Sequence, residues 1–449
     1  MYFCHKIKVN KMDSKELYAI YQQHPVITTD SRQCPEGSIF IALKGESFDG
    51  NQFAAQALEK GCAVAIVSDE QVYNNYNGNK QMVLVPDTLQ AYKDMAREHR
   101  RRFDIPVIGI TGTNGKTTTK ELIRAVLAER YDEMATEGNY NNDVGVPKTL
   151  FRLNVMHEIA VIEMGASHPG DIKTLAETAE PTCGLITNVG KAHLQGFGSL
   201  EGVIRTKGEL YDNLAKREGS VIFVNADNEH LMGILPAGVK TERYTRDETN
   251  AEARVHGQII ACDPFLRLKW RGGVDDNWHE VTTHLIGSYN LDNVLAAVTV
   301  GLHFDITPEQ ICHALENYVP SNNRSQLTET EHNHLVVDAY NANPTSMAAA
   351  LDNFCLMEVS PKMAILGEMR ELGASSHEEH VRMVERLASC PFDQVWLVGR
   401  EFQNIDCPYR KFDDVEQVKA AIAERRPEGH YILIKGSNGN RLFELPPLL

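Results

Sequence analysis

The stretch that decides the fold is Val107–Arg130, VIGITGTNGKTTTKELIRAVLAER. A β-branched apolar run breaks into glycines and threonines, and Lys116 and Thr117 then open a helical pattern. Strand, Gly-rich loop and helix in that order aim unpaired backbone N–H groups and a helix dipole at one point, a ready anion site. Gly112, Thr113, Asn114, Gly115, Lys116, Thr117 and Thr118 would line it. Lys116 has the reach for terminal phosphate oxygens, and the Thr117 hydroxyl could ligate Mg2+. The spacing departs from G-x-x-x-x-G-K-[ST]: five residues separate Gly109 from Gly115, and Ile110 stands where the first glycine is demanded. The order of elements carries the reading, and a nucleoside triphosphate is the expected ligand.

Outward from this stretch the alternation continues. EIAVIEMGA (158–166), CGLITNVG (183–190) and SVIFVNAD (220–227) read as strands, with helices between them, one near DIKTLAETA (171–179). Strands alternating with helices argue for βαβ units and a parallel sheet. The segment 266–287 reads as an antiparallel hairpin, and helices are predicted over 290–304 and 308–318. Before Val107, short buried strands are predicted in 38–43, 62–68 and 81–86, with helices over 51–61 and 89–103. The polar segment VPSNNRSQ (319–326) marks a break, after which 334–340, 362–369, 394–399 and 431–436 restart the strand pattern as a second parallel sheet. The expected division is 1–103, 104–318 and 319–449, three α/β domains.

Composition bounds the function classes. The chain has 449 residues, 42% hydrophobic and 24% charged, ordinary for a globular protein of several domains. A formal net charge of −16 argues against a nucleic-acid partner, whose phosphates demand clustered Lys and Arg. Nine cysteines without a CxxC pair suggest neither a disulfide framework nor a zinc site, and fit a reducing compartment. No signal-peptide h-region and no apolar run of about 18 residues is seen, so the expectation is a cytoplasmic, soluble chain without a membrane span.

GTNGKTTTKELI also resembles the ATP-binding loop of the Mur ligases, shared with folylpolyglutamate synthetases. TEGNYNNDVGVPKTL (136–150), EMGASHPGDI (163–172), TNVGKAHLQGFGS (187–199), VVDAYNANPTSM (336–347) and LGEMRELG (366–373) extend the likeness over the whole chain. They narrow it to the family member that adds a dipeptide. The resemblance implies three domains: one binding a UDP-sugar, a central P-loop-type parallel sheet binding ATP, and a Rossmann-like C-terminal domain. It implies a monomer that phosphorylates the terminal carboxylate of UDP-N-acetylmuramoyl-tripeptide with ATP. The amine of D-Ala-D-Ala then attacks the acyl phosphate. Such chemistry asks the protein to align reactants and screen charge more than to supply a nucleophile.

The resemblance also distributes roles. Glu163 ends an apolar run where a strand C-terminus faces the loop, and becomes a Mg2+ ligand with Thr117. His193 by itself is a loop histidine; the family makes it a ligand of a second Mg2+. Lys207 reads by composition as a helix-surface lysine, whereas the family places here a lysine carbamylated by CO2. Asn290 and Asn293 share a helix face and would meet adenine, although Asn290 also suits a helix cap. Tyr289 stands where the family often has His. Arg324 and Asp338 would reach the ATP phosphates and ribose. Ser31, Arg32, Lys44, Gly45 and Asp49 would bind the UDP end, with Thr136 and Asn139 near the phosphates. NANP and GEMRELG would meet the incoming dipeptide. In KGSNGNRLFE, Asn438 replaces the family's usual Arg and is given no role.

Three readings compete: the dipeptide-adding ligase; a sister ligase adding the third amino acid, or a folylpolyglutamate synthetase; and a nucleotide-binding regulator without chemistry. The DNPR segment typical of the diaminopimelate-adding sister is absent, and a pure binder has no need of a two-metal site.

Overall fold

The computed structural model describes residues 12–45, 47–76, 81–273, 277–320 and 326–449. Contacts divide the chain into two compact units. The first comprises Met1–Ile105, Thr136–His157 and Thr174–Glu180; the second comprises Pro106–Ala135, Glu158–Lys173 and Pro181–Leu449.

The first unit is built on four parallel strands, β1 (Ile27–Thr28), β2 (Ile39–Ile41), β3 (Val64–Val67) and β4 (Met82–Leu84), in that spatial order. Side chains alternate between two buried faces, which is why the strands read as apolar runs rather than alternating ones. Ile39, Ile41 and Ile66 pack with Leu17, Tyr21, Tyr92 and Met95 on one face. Phe40, Ala65 and Val67 pack with Ala54, Ala57 and Leu58 on the other. The helix Thr88–Arg100 is started by Asp87, whose carboxylate accepts from the Leu89 and Gln90 N–H groups.

The second unit carries two sheets. The larger contains β5 (Val107–Thr111), β6 (Glu133–Ala135), β7 (Ile159–Glu163), β8 (Cys183–Ile186), β9 (Val221–Asn225), β10 (Lys240–Thr245), β11 (Val255–Cys262), β12 (Phe265–Gly272) and β13 (His279–Ile286). Its order is β13-β12-β11-β10-β9-β8-β5-β7-β6. Pairing is parallel from β6 through β11 and antiparallel across β11, β12 and β13. The expected antiparallel excursion is thus three strands wide. β5 lies between β7 and β8, so the loop after it opens where the strand order reverses, the customary ligand crevice of such sheets.

The smaller sheet contains β14 (Gln326–Glu329), β15 (His334–Asp338), β16 (Lys362–Gly367), β17 (Gln394–Val398), β18 (Arg410–Phe412) and β19 (Tyr431–Lys435), ordered β14-β15-β19-β16-β17-β18. All pairs are parallel except the edge pair β14–β15. Helices Pro344–Leu356 and Ser376–Leu387 cover one face through Met347, Leu351, Phe354, Met383 and Leu387.

One expectation is corrected here. Cys355 and Cys390, 35 residues apart, form a disulfide with a Cα–Cα distance of 5.5 Å. Packing of the two helices brings their C-terminal ends together, a proximity invisible to cysteine spacing. Among the described residues no helix is long and apolar enough to cross a membrane.

Candidate active site

The loop after β5 is held from behind by the segment after β8. The Thr113 N–H donates to the Asn188 carbonyl at 2.9 Å, and the Asn114 N–H to Asn188 Oδ1 at 3.0 Å. The Asn114 carbonyl accepts from Thr187 Oγ1 at 2.6 Å and from Asn188 Nδ2 at 3.0 Å. Gly112 has φ +146 and a Cβ there would strike the Thr187 hydroxyl, so only glycine lets this brace close. Gly115, at φ +77, caps the helix Lys116–Leu127 in the left-handed region, and a Cβ there would lie 2.6 Å from Asn293 Oδ1.

Lys116 Nζ turns to the loop itself, donating to the carbonyls of Gly112 at 2.8 Å and Thr113 at 3.1 Å. Thr117 Oγ1 donates to Glu163 Oε2 at 2.9 Å, and both side chains are buried. Two hard oxygens side by side beside a phosphate loop are the kind of donor set Mg2+ uses with phosphate and water completing its shell.

Lys207 overturns its compositional reading as a surface lysine: it is 2% exposed, on the inner face of the helix Leu200–Leu214. Its Nζ lies 5.5 Å from the Phe197 ring centroid. Burial, then the nearby Lys116 charge, drive its pKa well below the usual lysine range, against the opposing pull of Asp171 and Glu209. An ammonium taken out of water costs several kcal/mol unless closely paired. Glu209 is spent elsewhere, accepting from the Gly170 and Lys173 N–H groups at 2.8 Å each. Burial thus shifts the balance toward the uncharged amine.

His193, in the left-handed region at φ 49, faces the Glu371 carboxylate. Its pKa is lowered by burial first; Glu371 raises it, and the charges of Lys116 and Lys207 lower it again. Lys116, His193 and Lys207 thus share one electrostatic neighbourhood. No group of three or more His, Cys, Asp or Glu among the described residues could hold a metal.

Asn290 and Asn293 are buried and bonded in series: Asn290 Nδ2 donates to the Ile286 carbonyl at 2.8 Å, Asn293 Nδ2 to Asn290 Oδ1 at 2.8 Å, and Thr119 Oγ1 to Asn293 Oδ1 at 3.0 Å. This chain ties the helix Asn290–His303 to the phosphate-loop helix; in the expected pattern these amides face a base. Asp338 Oδ2 accepts from the buried Lys435 Nζ at 2.5 Å, and the same ammonium donates to the Asn341 carbonyl at 3.2 Å. Thr118 is half-buried beside the loop. Arg324 lies outside the described residues.

In the first unit, Arg32 is forked onto Asp30, lowering that carboxyl to about 2, and the Ser31 carbonyl accepts from Lys60 Nζ at 2.8 Å. Lys44 pairs with Asp49 at 3.4 Å across a short loop closed by the Gly45 N–H on the Phe48 carbonyl at 2.9 Å. Thr136 is buried and Asn139 exposed. Sequence reasoning missed Thr187, Asn188, Glu209, Glu371 and Lys435. Thr187 and Asn188 lie in TNVG and Lys435 in KGS, but only the fold gives those residues a partner.

The chain matches the Mur ligase family, catalytic domain, over residues 25–100. It matches the Mur ligase middle domain over 110–301 and the Mur ligase, glutamate ligase domain over 323–438. The chain belongs to the Mur ligase family. Among curated Mur ligases, the UDP-N-acetylmuramoyl-tripeptide–D-alanyl-D-alanine ligase of Bacillus subtilis is 33% identical, over 93% of this chain and 92% of the relative. That of Escherichia coli is 32% identical over 93% and 92%. Among solved Mur ligases, MurF from Acinetobacter baumannii superposes with a TM-score of 0.85 at 28% identity, covering 97% of this chain and 98% of that one. MurF ligase from Thermotoga maritima in complex with ADP gives 0.85 at 27% identity, with the same coverage.

Proposed function

We propose that this chain uses ATP to join D-alanyl-D-alanine to the terminal carboxylate of UDP-N-acetylmuramoyl-tripeptide, forming the pentapeptide precursor of peptidoglycan. The observation that carries this reading is likeness to dipeptide-adding ligases over more than nine-tenths of the chain. The tripeptide carboxylate attacks the γ-phosphorus, ADP leaves, and an acyl phosphate results. The dipeptide amine adds to the acyl carbon, loses a proton, and phosphate is expelled as the amide forms. Lys116 screens the phosphates from the loop, and the loop N–H groups orient them.

Thr117 and Glu163 fit Mg2+, which when bound would neutralise charge on the phosphates. Lys207, whose burial disfavours the charged form, adds CO2 as the free amine with release of one proton, leaving a carbamate anion where the amine stood. That anion, with His193, would supply the donors for a second Mg2+. Residues 1–103, with Ser31, Arg32, Lys44, Gly45 and Asp49, take the UDP-sugar; 104–318 take ATP; 319–449, with Asp338, take the dipeptide and the ribose. The chain works as a cytoplasmic monomer.

Phosphate release from Mg-ATP tests this, with tripeptide substrate and D-Ala-D-Ala together and each omitted in turn. Release that requires both, with pentapeptide product, is expected. Release with a single amino acid and a shorter precursor would reassign the chain to a sister ligase.

A further inference from the structure

Asn343, in the NANP segment, has more hydrogen bonds than its local task requires. It caps the helix Pro344–Leu356: Oδ1 accepts from the Ser346 N–H at 2.9 Å, and Ser346 Oγ accepts from the Asn343 N–H at 3.1 Å. A cap needs only an acceptor, which Ser, Thr or Asp supplies as well as Asn. The surplus group is the Nδ2 donor, and it goes to Asn114 Oδ1 at 2.7 Å, while Asn114 Nδ2 faces Asn343 Oδ1 at 3.5 Å. Asn343 is 3% exposed, so this amide is not shared with bulk water. Asn114 sits between Thr113 and Gly115 in the phosphate loop, its own N–H and carbonyl already spent on Thr187 and Asn188. The Asn343 amide is therefore the contact that orients the Asn114 side chain.

The contact is not isolated. Thr345 Oγ1 packs against Gly190, close enough that a Cβ there would lie 3.0 Å away. Lys191 Nζ pairs with Glu379 at 2.9 Å, and the Gln195 N–H donates to the Glu371 carbonyl at 3.2 Å. The segment that braces the phosphate loop from behind is itself seated on the C-terminal sheet's loops and helices.

We propose that Asn343 is a positioning residue for the nucleotide rather than a dipeptide contact: through the amide pair with Asn114 it sets the phosphate loop in its binding shape. Nucleotide affinity then depends on the seating of the C-terminal segment. The inference rests on the reading of 112–118 as the ATP loop.

The test is Asn343→Ser, which keeps the cap and removes the amide. Losing one buried hydrogen bond predicts a rise of about 3–10-fold in the KM for ATP and in the Kd for ADP. The KM for D-Ala-D-Ala should stay unchanged, and the melting temperature should fall by no more than a few degrees. Asn114→Ala probes the pair from the other side without touching the cap and should raise the same constants. Adding Asn343→Ser to it should then cost nothing more. An unchanged KM for ATP, a rise confined to the dipeptide KM, or full additivity in the double variant would each overturn the role. Lys116→Ala separates the two levels. If it loses ADP binding while Asn343→Ser does not, only the inference falls; if it binds ADP normally, the loop reading falls and takes the inference with it.

Discussion

Lys207 carries the sharpest prediction at the scale of single residues. Burial favours the uncharged amine that adds CO2, so Lys207→Ala should lose activity by several orders of magnitude and regain part of it from added short carboxylic acids, assayed by phosphate release. Full activity without rescue would remove Lys207 from the site. Lys435 gives a second case. Lys435 is buried and Asp338 partly exposed, so removing the lysine strands a partly solvated carboxylate, and Lys435→Met should cost about 1–3 kcal/mol. The double variant Lys435→Met/Asp338→Asn should recover most of that stability in thermal denaturation without recovering turnover. The phosphate loop could be read in the sequence because its chemistry is local: glycines, Lys116 and Thr117 lie within a few residues of one another. Lys207 could not, since whether a helical lysine faces water or protein is decided by what packs on the helix. The Asn290–Asn293–Thr119 series is equally non-local, joining positions 174 residues apart.

Among elements, the loop 368–373 is held by the helix that follows it. Buried His380 accepts from the Met369 N–H at Nε2 (2.9 Å) and contacts the Ser376 carbonyl at Nδ1 (2.7 Å), partners that fit the neutral ring with its proton on Nδ1. Burial lowers its pKa below 6.5, outweighing the raising effects of the Ser376 carbonyl, Glu401 and Glu368; His377 adds to the lowering. The native state thus resists protonation while the unfolded chain accepts it. Stability from this group is complete above about pH 6.5 and declines as pH falls from there toward the folded pKa. His380→Gln keeps an acceptor without titrating, so its stability gap to the wild-type chain should narrow between about pH 7.5 and 5.5 in urea unfolding. Long apolar strands such as β5, β7 and β9 were legible as runs of buried residues on a two-faced sheet. β6, with three residues, and β14, a half-exposed edge strand, offer too few positions for a period to emerge.

At the scale of the whole molecule, the first compact unit gathers, together with residues 1–105, the segments 136–157 and 174–180. Side chains near the end of the helix Thr88–Arg100 depend on them. His99 Nε2 lies 3.0 Å from the Leu153 carbonyl, Arg100 Nε donates to the Ala179 carbonyl at 3.3 Å, and Arg101 forks onto Glu180. Hydrophobic pattern marks where a strand is, not which later segment will cover it. A fragment of residues 1–105 should therefore unfold at lower urea and less cooperatively than the same residues within the full chain, followed by tyrosine fluorescence. An equally sharp transition at the same midpoint would show that the later segments add nothing.

That discontinuity sets a schedule for synthesis. A ribosome releases the chain from its N-terminus, and the first unit has all its parts only once Glu180 has emerged. By then β5, the phosphate loop and β7 have also left the tunnel, still without β8 to β13. Until then the nascent chain must hold a four-stranded sheet without its later cover, and a larger sheet whose apolar strands wait in water for partners not yet translated. Codon choice or chaperone capture across the first 180 codons would be expected to govern yield more strongly than any change near the C-terminus.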